Sequence, residues 1–519
     1  MAALVPRKAY TDEELRHLYP HGLELQLVQV LMRHGERTPV SARFQKTGLP
    51  AFWPYCASVV HLKSAVMTLA RGRGEGDGSP FDTFQWKRRL ETFGQNDEPV
   101  VATGPGGELD NVCDMGSLTD QGRHTTYKLG LRLRELYVDR LGFLPRTTSS
   151  LDFLYLRATP VTRALESLQQ AFAALYPPSG LEADEHGRYP VPTILTRAPA
   201  DETLYPNDSN CRRFAALSRA FAQRSADRWN ATDEMDYLNK LYSKWMPSNS
   251  RVAVDSRPRL SGIMDTINST AAHGPETRLP QEFYDGKAKE IIEKIAVEEW
   301  FAGFKESRDY RMLGVGSLLG DVVGRMVGSA EQTSADGESE IAAQKGQPSP
   351  RIKFGLSGCH DTTLAAVLAS LGAFDINSWP PFTSHIAIEM FRKSDKQAPS
   401  ANGPTVAATR PKRSWWDALS LGTSTPPPDI GRRVTADLTP GEKKKLDGYY
   451  VRLRYNDEPV TIPGCKTPGN HLEGDESFCT LAAFKAIVDK FTPRDWKQQC
   501  RIDRNMPTPQ IKEPEWAGY

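Results

Sequence analysis

The sequence predicts an α/β fold, in which a mainly parallel sheet flanked by helices carries an inserted, mainly helical cap. Two observations support this class. Strand-like and helix-like segments alternate along the chain, and three of the strand-like segments lead into loops that carry charged side chains. Because the carboxyl ends of parallel strands meet at one edge of a sheet, we expect these three loops to form a single site.

The first predicted strand, residues 23–31, is apolar enough to be buried on both faces. It leads into the motif R-H-G-x-R-x-P at 33–39, which fixes five residue identities. Arg33 and Arg37 can donate bidentate hydrogen bonds to phosphate oxygens. Their fixed charges also disfavour protonation of His34, and only a neutral imidazole has the lone pair needed to attack phosphorus. The motif therefore predicts a phosphate-binding loop with His34 as the nucleophile.

The second predicted strand, residues 152–156, is followed directly by Arg157. We expect Arg157 to close on a bound phosphate from a second side, because it would stand just past the strand end. Arg163 follows one helical turn later, and the sequence alone does not assign it a role.

The third predicted strand, residues 352–356, leads through a short loop to His360 and Asp361. A histidine at this place can add a hydrogen-bond donor to a phosphate, and a carboxyl group can protonate a departing alkoxide. A His-Asp dipeptide alone is a weak signal. Its weight comes from its position at the end of a third strand.

Three helices are predicted from start and stop signals. The first has Thr119 as its N-cap and ends near Gly142. The second covers Val161–Leu175 between prolines, and the third covers 361–371 and ends at Gly372. Thus three predicted strands end at loops that carry candidate functional residues.

The composition argues against several classes of function. The 65 Lys and Arg against 64 Asp and Glu give a formal charge of +1, so no overall field favours nucleic acid or an anionic membrane. No segment reaches the length of an apolar membrane span; residues 314–327 come nearest, but Asp321 and Arg325 interrupt them. No group of His, Asp and Cys has metal-ligand spacing, and we expect no metal or other cofactor.

The cysteines and the first residues bear on location. Seven cysteines in 519 residues are a low density, and Met1–Gly22 lacks the continuous apolar segment of a secretory signal. We therefore expect an intracellular protein, cytoplasmic by default, that is not secreted by the classical route. In that setting free thiols are the expected state of Cys465, Cys479 and Cys500.

Together, these motifs resemble those of the histidine acid phosphatases, branch 2 of the histidine phosphatase superfamily. The resemblance rests on the 33–39 motif, on L-T-D-Q-G at 118–122, on the segment 157–163 and on S-G-C-H-D-T-T-L at 357–364. The four segments also stand in the order of that family.

The resemblance implies a phosphoglycerate-mutase-like fold and a metal-free phosphomonoesterase reaction in two steps. His34 would be phosphorylated while Asp361 protonates the leaving group, and water would then hydrolyse the phosphohistidine. The transferring phosphoryl group would be held by Arg33, Arg37, Arg157 and His360.

The substrate is less readable than the reaction. W-P-P-F at 379–382 and I-P-G-C at 462–465 resemble the mitochondrial-type lysophosphatidic acid phosphatases, so a lysophospholipid is the leading small phosphomonoester and a mitochondrial location is an alternative. Phytases share the motif set but are generally secreted and richer in disulfides. A phosphate-binding protein without catalysis is disfavoured, since binding needs neither His34 nor Asp361. A phosphoglycerate-mutase activity fits the His360-Asp361 pair poorly.

The chain is expected to divide into a core and several insertions. Aromatic residues in the first insertion, among them Trp53, Phe84 and Trp86, could line an acyl groove, although such residues are more often ordinary packing. Trp415 and Trp416 could dock to a partner or pack on the surface. The predicted units are the core at 23–40, 110–200, 350–392 and 446–500, the cap at 41–109 and 201–330, a mobile connector at 331–349, and a low-complexity, disordered insertion at 393–445.

Overall fold

A mixed sheet of nine strands forms the centre of the computed structural model, which describes residues 7–67, 81–247, 250–331, 351–373, 378–394, 430–501 and 514–519. Four further strands form two small hairpins outside this sheet. The strands are β1 (Leu23–Arg33), β2 (Leu62–Met67), β3 (Phe81–Trp86), β4 (Glu91–Phe93), β5 (Pro99–Val101), β6 (Leu154–Ala158), β7 (Ile194–Leu195), β8 (Phe354–Cys359), β9 (His385–Lys393), β10 (Tyr449–Tyr455), β11 (Glu458–Val460), β12 (His471–Leu472) and β13 (Asp475–Thr480).

The sheet has a parallel part and an antiparallel part. Its order is β12-β13-β10-β9-β1-β8-β6-β7, and β11 pairs with β10. Strands β1, β8, β6 and β7 run parallel, while β9 and the strands beyond it pair antiparallel. The α/β class is therefore confirmed, and the parallel part is the part that contains the three predicted strands.

Helices cover both faces of the sheet and form the cap. Helices α2 and α3 pack on each other beside the sheet, and α4 to α9 lie in the segment expected to be a mainly helical cap. The helices are α1 (Asp12–Leu18), α2 (Asp120–Arg134), α3 (Thr162–Leu175), α4 (Arg212–Trp229), α5 (Asp233–Tyr242), α6 (Leu260–Ala271), α7 (Gly286–Glu306), α8 (Arg308–Arg311), α9 (Ser317–Glu331), α10 (Asp361–Ser370), α11 (Pro440–Lys444), α12 (Leu481–Asp489) and α13 (Trp496–Gln499).

Strand β1 separates two hydrophobic cores. Leu27 and Leu31 belong to the core shared with the cap helices, whereas Val28, Val30 and Met32 belong to the core under α2 and α3. This alternation follows the period of two along a strand. Both faces of β1 are therefore buried, as the apolar sequence predicts.

The first predicted insertion, 41–109, differs from the helical part of the cap. Its described residues contain the antiparallel pairs β2 with β3 and β4 with β5, together with two short 3-10 helices. Trp53 is buried and packs in the core, while Phe84 and Trp86 are about half exposed and contact each other. In the described part of the chain, no helix is long and apolar enough to cross a membrane.

Residues 430–445 of the predicted insertion at 393–445 belong to the described part of the chain. Residues 430–445 pack against the core, with Ile430 and Leu438 buried, so the expectation of disorder is wrong for this part. The apolar residues of this part are too widely spaced among charged ones to form a periodic pattern that predicts packing. Most of the predicted connector, as well as Trp415 and Trp416, lie outside the described residues.

Six of the seven cysteines form disulfides, which corrects the expectation of free thiols. The pairs are Cys56–Cys113, Cys211–Cys500 and Cys465–Cys479. The partners lie 57, 289 and 14 residues apart in sequence. Folding brings these residues together, so their spacing does not reveal the pairs. Cys359 stays free and is buried.

We therefore predict that the protein, purified and denatured without reductant, reacts with a thiol-alkylating reagent at Cys359 alone. Intact mass spectrometry should show a single adduct before reduction and seven after it, because only the buried Cys359 thiol is unpaired. Three or more adducts on the unreduced, denatured chain would contradict the disulfide pairs.

Candidate active site

Three parallel strands end side by side, and the predicted site residues lie at or near their ends. Arg33 at the end of β1 is in register with Cys359 at the end of β8, and Ala158 at the end of β6 is in register with Gly358. His34 and His360, the residues after β1 and β8, therefore meet, with ring centroids 5.5 Å apart. The expectation of one shared edge is met for these two loops.

Two glycines allow the loop after β1 to lie against the start of α2. A Cβ atom on Gly35 would lie 2.2 Å from the carbonyl oxygen of Gly122, and one on Gly122 would lie 2.2 Å from that of Glu36. Thr119, the predicted N-cap, accepts a hydrogen bond from the Gly122 N–H and also donates to the Glu36 carbonyl. The glycines of the two motifs are thus explained by backbone contact.

His34 is held in the tautomer that a nucleophile needs. The Nδ1 of this buried side chain lies 2.9 Å from the carbonyl oxygen of Gly35. Because a carbonyl only accepts hydrogen bonds, the proton is on Nδ1 and the lone pair is on Nε2. Burial, together with the positive charges of Arg163, Arg33 and Arg37, holds the pKa of His34 well below its ordinary value. His34 is therefore neutral in weak acid.

Arg33 is fixed by the third loop and by the W-P-P-F segment. One Nη atom lies 2.7 Å from Oδ2 of Asp361, and the other donates to the carbonyl of Pro380. The guanidinium carbon lies 4.1 Å from the ring centroid of Phe382, and Trp379 Nε1 donates to Asp361 Oδ2 at 2.8 Å. The W-P-P-F segment therefore orients both the arginine and the carboxylate.

Arg37 is paired with a carboxylate that comes from the cap. Its Nη1 lies 2.8 Å from Oδ1 of Asp265 on α6, while Arg43 lies 3.2 Å from the other carboxylate oxygen. Sequence reasoning missed Asp265, and no signal in the linear sequence marks it, because the contact forms only when the cap folds over the core. The pair ties the cap directly to the phosphate-binding loop.

Arg157 and Arg163 occupy different places. Arg157 lies inside β6, in register with Ser357, and its Nη2 donates to Glu202 at 2.5 Å. Arg163, on the first turn of α3, contributes the largest charge effect on the pKa of His34 after burial. Arg157 is therefore paired with a carboxylate of the cap, whereas Arg163 acts on His34 through its charge.

Buried donors in this group point to an anionic ligand. Within the described residues, the buried Nε atoms of Arg33, Arg37 and Arg163 have no hydrogen-bond partner, and the same is true of Nε of Arg157. Leaving a buried donor unpaired costs free energy that an anion with several acceptor oxygens can recover. Among the residues that the structure describes, no group of three or more His, Cys, Asp or Glu could hold a metal ion.

His360 and the neighbouring Asp361 both have lowered pKa values. Burial lowers the pKa of His360 below its ordinary value, and the charge of Arg163 acts in the same direction. Burial raises the pKa of Asp361, but Arg33 and the Trp379 N–H outweigh this effect, so that the carboxyl pKa lies below its usual range. In the unliganded site, the imidazole is therefore neutral and the carboxylate is ionised.

Comparison with known proteins agrees with this geometry. The family model of the histidine phosphatase superfamily, branch 2, matches residues 24–402. The chain is similar to a probable acid phosphatase of Schizosaccharomyces pombe, with 35% identity over 93% of this chain and 95% of the relative. It is also similar to the human lysophosphatidic acid phosphatase type 6, with 24% identity over 71% of this chain and 74% of the relative.

The chain also matches solved structures, among them a phytase and a multiple inositol polyphosphate phosphatase. The Hafnia alvei phytase in its apo form matches with a TM-score of 0.49 and 13% identity over 93% of this chain and 100% of that one. A multiple inositol polyphosphate phosphatase of Bifidobacterium longum, in complex with phosphate, matches with a TM-score of 0.48 and 11% identity over 94% and 96%.

The two arginines should separate in a phosphate-binding experiment. We expect Arg163→Met to weaken binding of inorganic phosphate about tenfold or more, because a charge-assisted hydrogen bond to the anion is lost. Arg157→Met should change the dissociation constant by less than about twofold, since that guanidinium is bound to Glu202. Isothermal titration calorimetry measures both. The opposite ranking would return Arg157 to the role of phosphate ligand.

Proposed function

The chain belongs to branch 2 of the histidine phosphatase superfamily and is a histidine acid phosphatase, and we propose that it hydrolyses small phosphomonoesters through a phosphohistidine on His34. The observation that carries this proposal is the Nδ1–H contact of His34 to Gly35, which leaves Nε2 as an unprotonated nucleophile among arginines. We assign phosphate binding to Arg33, Arg37, His360 and, in place of Arg157, Arg163.

The proposed reaction has two displacements. In the first, His34 Nε2 forms a bond to phosphorus while the ester P–O bond breaks, and Asp361 gives a proton to the leaving oxygen. In the second, water attacks phosphorus, the P–N bond breaks, and Asp361 takes the proton from that water. The products are an alcohol and inorganic phosphate. The guanidinium groups stabilise charge on the equatorial oxygens throughout.

Asp361 can act as an acid although it is ionised in the unliganded site. Its pKa is held down chiefly by Arg33, which lies 2.7 Å away. A phosphate that binds Arg33 adds negative charge beside the carboxylate and takes over part of this ion pair. Both effects raise the pKa of Asp361, so that it binds a proton from the solvent when substrate is present.

For the substrate, we propose lysophosphatidate or a similar small phosphomonoester. Support comes from the relative named as a lysophosphatidic acid phosphatase and from the W-P-P-F segment. This segment contacts both Arg33 and Asp361. No metal takes part in the proposed reaction. A phytase-like activity remains the alternative, and a substrate panel decides between the two.

The proposed location changes because of the disulfides. Three disulfides favour a compartment that permits them to persist, since the cytosol keeps thiols reduced. This weighs against the cytoplasmic default. In place of the cytoplasm, we propose an oxidising compartment.

The first test measures phosphate release from lysophosphatidate, phytate and an aryl phosphate, with a chelator present, from about pH 4 to about 8. Because the pKa of His34 is lowered, the nucleophile stays neutral in acid, and we expect activity to persist at about pH 5. His34→Ala should abolish release. Activity that survives in this variant would exclude the phosphohistidine route, and faster release from phytate than from lysophosphatidate would overturn the substrate proposal.

The acid role of Asp361 has its own test. In Asp361→Asn, we expect kcat for an alkyl phosphate to fall about 10²-fold or more, and kcat for an aryl phosphate to fall much less, because a phenolate leaves without full protonation. Steady-state kinetics on the two esters measures the difference. Equal losses would mean that Asp361 positions Arg33 but does not donate the proton.

A further inference from the structure

Arg157 is a buried charge with no place in the proposed reaction, and its surroundings lead back to His360. Tyr155 and Arg157 face the cap side of β6, while Leu156 faces the core under α2 and α3. The Arg157 guanidinium is 2% exposed and meets the carboxylate of Glu202, which is fully buried. Burying such a pair costs desolvation free energy, so stability alone does not account for it.

Glu202 binds the backbone of the segment with which the chain enters the cap. Its Oε1 accepts hydrogen bonds from Arg157 and from the backbone N–H groups of Thr203 and Leu204, the latter two at 2.7 Å. Arg157 also donates to the Thr203 hydroxyl at 3.2 Å, and Arg197 donates to the same oxygen at 2.9 Å. We call residues 202–205 the strap.

The other side of the strap holds His360. The hydroxyl of Thr363 donates to the Leu204 carbonyl and accepts from the His360 backbone N–H at 3.3 Å. The ring of Tyr205 packs edge-on against the His360 ring, with centroids 5.9 Å apart. The strap therefore contacts both the backbone, through Thr363, and the ring of His360.

We propose that Arg157 is a positioning residue, which acts through Glu202 and the strap to hold His360 against the transferring phosphoryl group. This inference rests on the proposed function, because it gives His360 a task in phosphoryl transfer. Thr159 completes the support, since its hydroxyl lies 3.1 Å from Nε2 of His360. The strap limits the motion of the His360 imidazole, and the Arg157–Glu202 pair holds the strap.

A double-mutant cycle tests the proposal with an aryl phosphate as substrate. Arg157→Met should lower kcat about 10-fold to 100-fold, as expected for a misplaced group in an active site, while KM changes less than about twofold. In a His360→Ala background, the same substitution should change kcat by less than about twofold, because its effect passes through the imidazole. An equal loss in both backgrounds, or no loss in the wild type, would overturn the proposal.

Arg452→Met is the matched control. Arg452 is also a buried arginine in a strand of the same sheet, and it binds the buried Glu389 at 2.7 Å. We expect it to lower the melting temperature as Arg157→Met does but to leave kcat unchanged in the folded fraction. A comparable loss of kcat in this control would show that the effect of Arg157 is merely one of stability.

A milder variant covers the case in which Arg157→Met does not fold. Thr363→Val keeps the shape of the side chain but removes the hydroxyl that joins the strap to His360, and it enters the same cycle with the same expected result. The proposed function fails separately from this inference. Wild-type protein without His34-dependent phosphate release would refute the function, whereas an additive cycle in an active enzyme refutes only the role of Arg157.

Discussion

The structure depends on balancing positive charge that is buried at the ends of parallel strands. Arg33, Arg37 and Arg163 surround His34 in a place with little solvent, where isolated charges are strongly unfavourable. Without a ligand, Asp361 and Asp265 supply the opposite charge. The same arginines that would bind phosphate therefore lower the pKa values of His34 and Asp361 and bind the cap through Asp265.

Rigid contacts keep this balance in one geometry. The contact of Gly35 with Gly122 sets the path of the loop after β1, and the segment 379–382 fixes Arg33 from the opposite side. Neither contact touches the reacting atoms in the proposed mechanism. Preorganised charge is effective because the protein does not have to reorganise when the reaction occurs, so these supports matter as much as the arginines themselves.

Sequence reasoning succeeded where a local pattern carries the information. The three strands with their loops, the N-cap Thr119 and the pair His360-Asp361 each follow from neighbouring residues. The placement of Arg157 did not, because the predicted second strand stopped at residue 156 whereas β6 extends to Ala158. A difference of two residues in the strand end decides whether Arg157 lies beyond the strand or inside the sheet, facing the cap. Asp265 and the disulfide partners come from distant segments, and only the folded chain brings them together.

Two sets of contacts join the cap to the proposed site. Residues 202–205 are where the chain leaves the core for the helical cap, and they also hold His360. Asp265 makes a second connection, from α6 to Arg37. A substrate that shifts the cap thus acts on two proposed phosphate ligands through ion pairs and hydrogen bonds rather than through loose packing. We therefore expect selectivity to arise in kcat as well as in binding, because these contacts connect the cap to the proposed phosphate ligands.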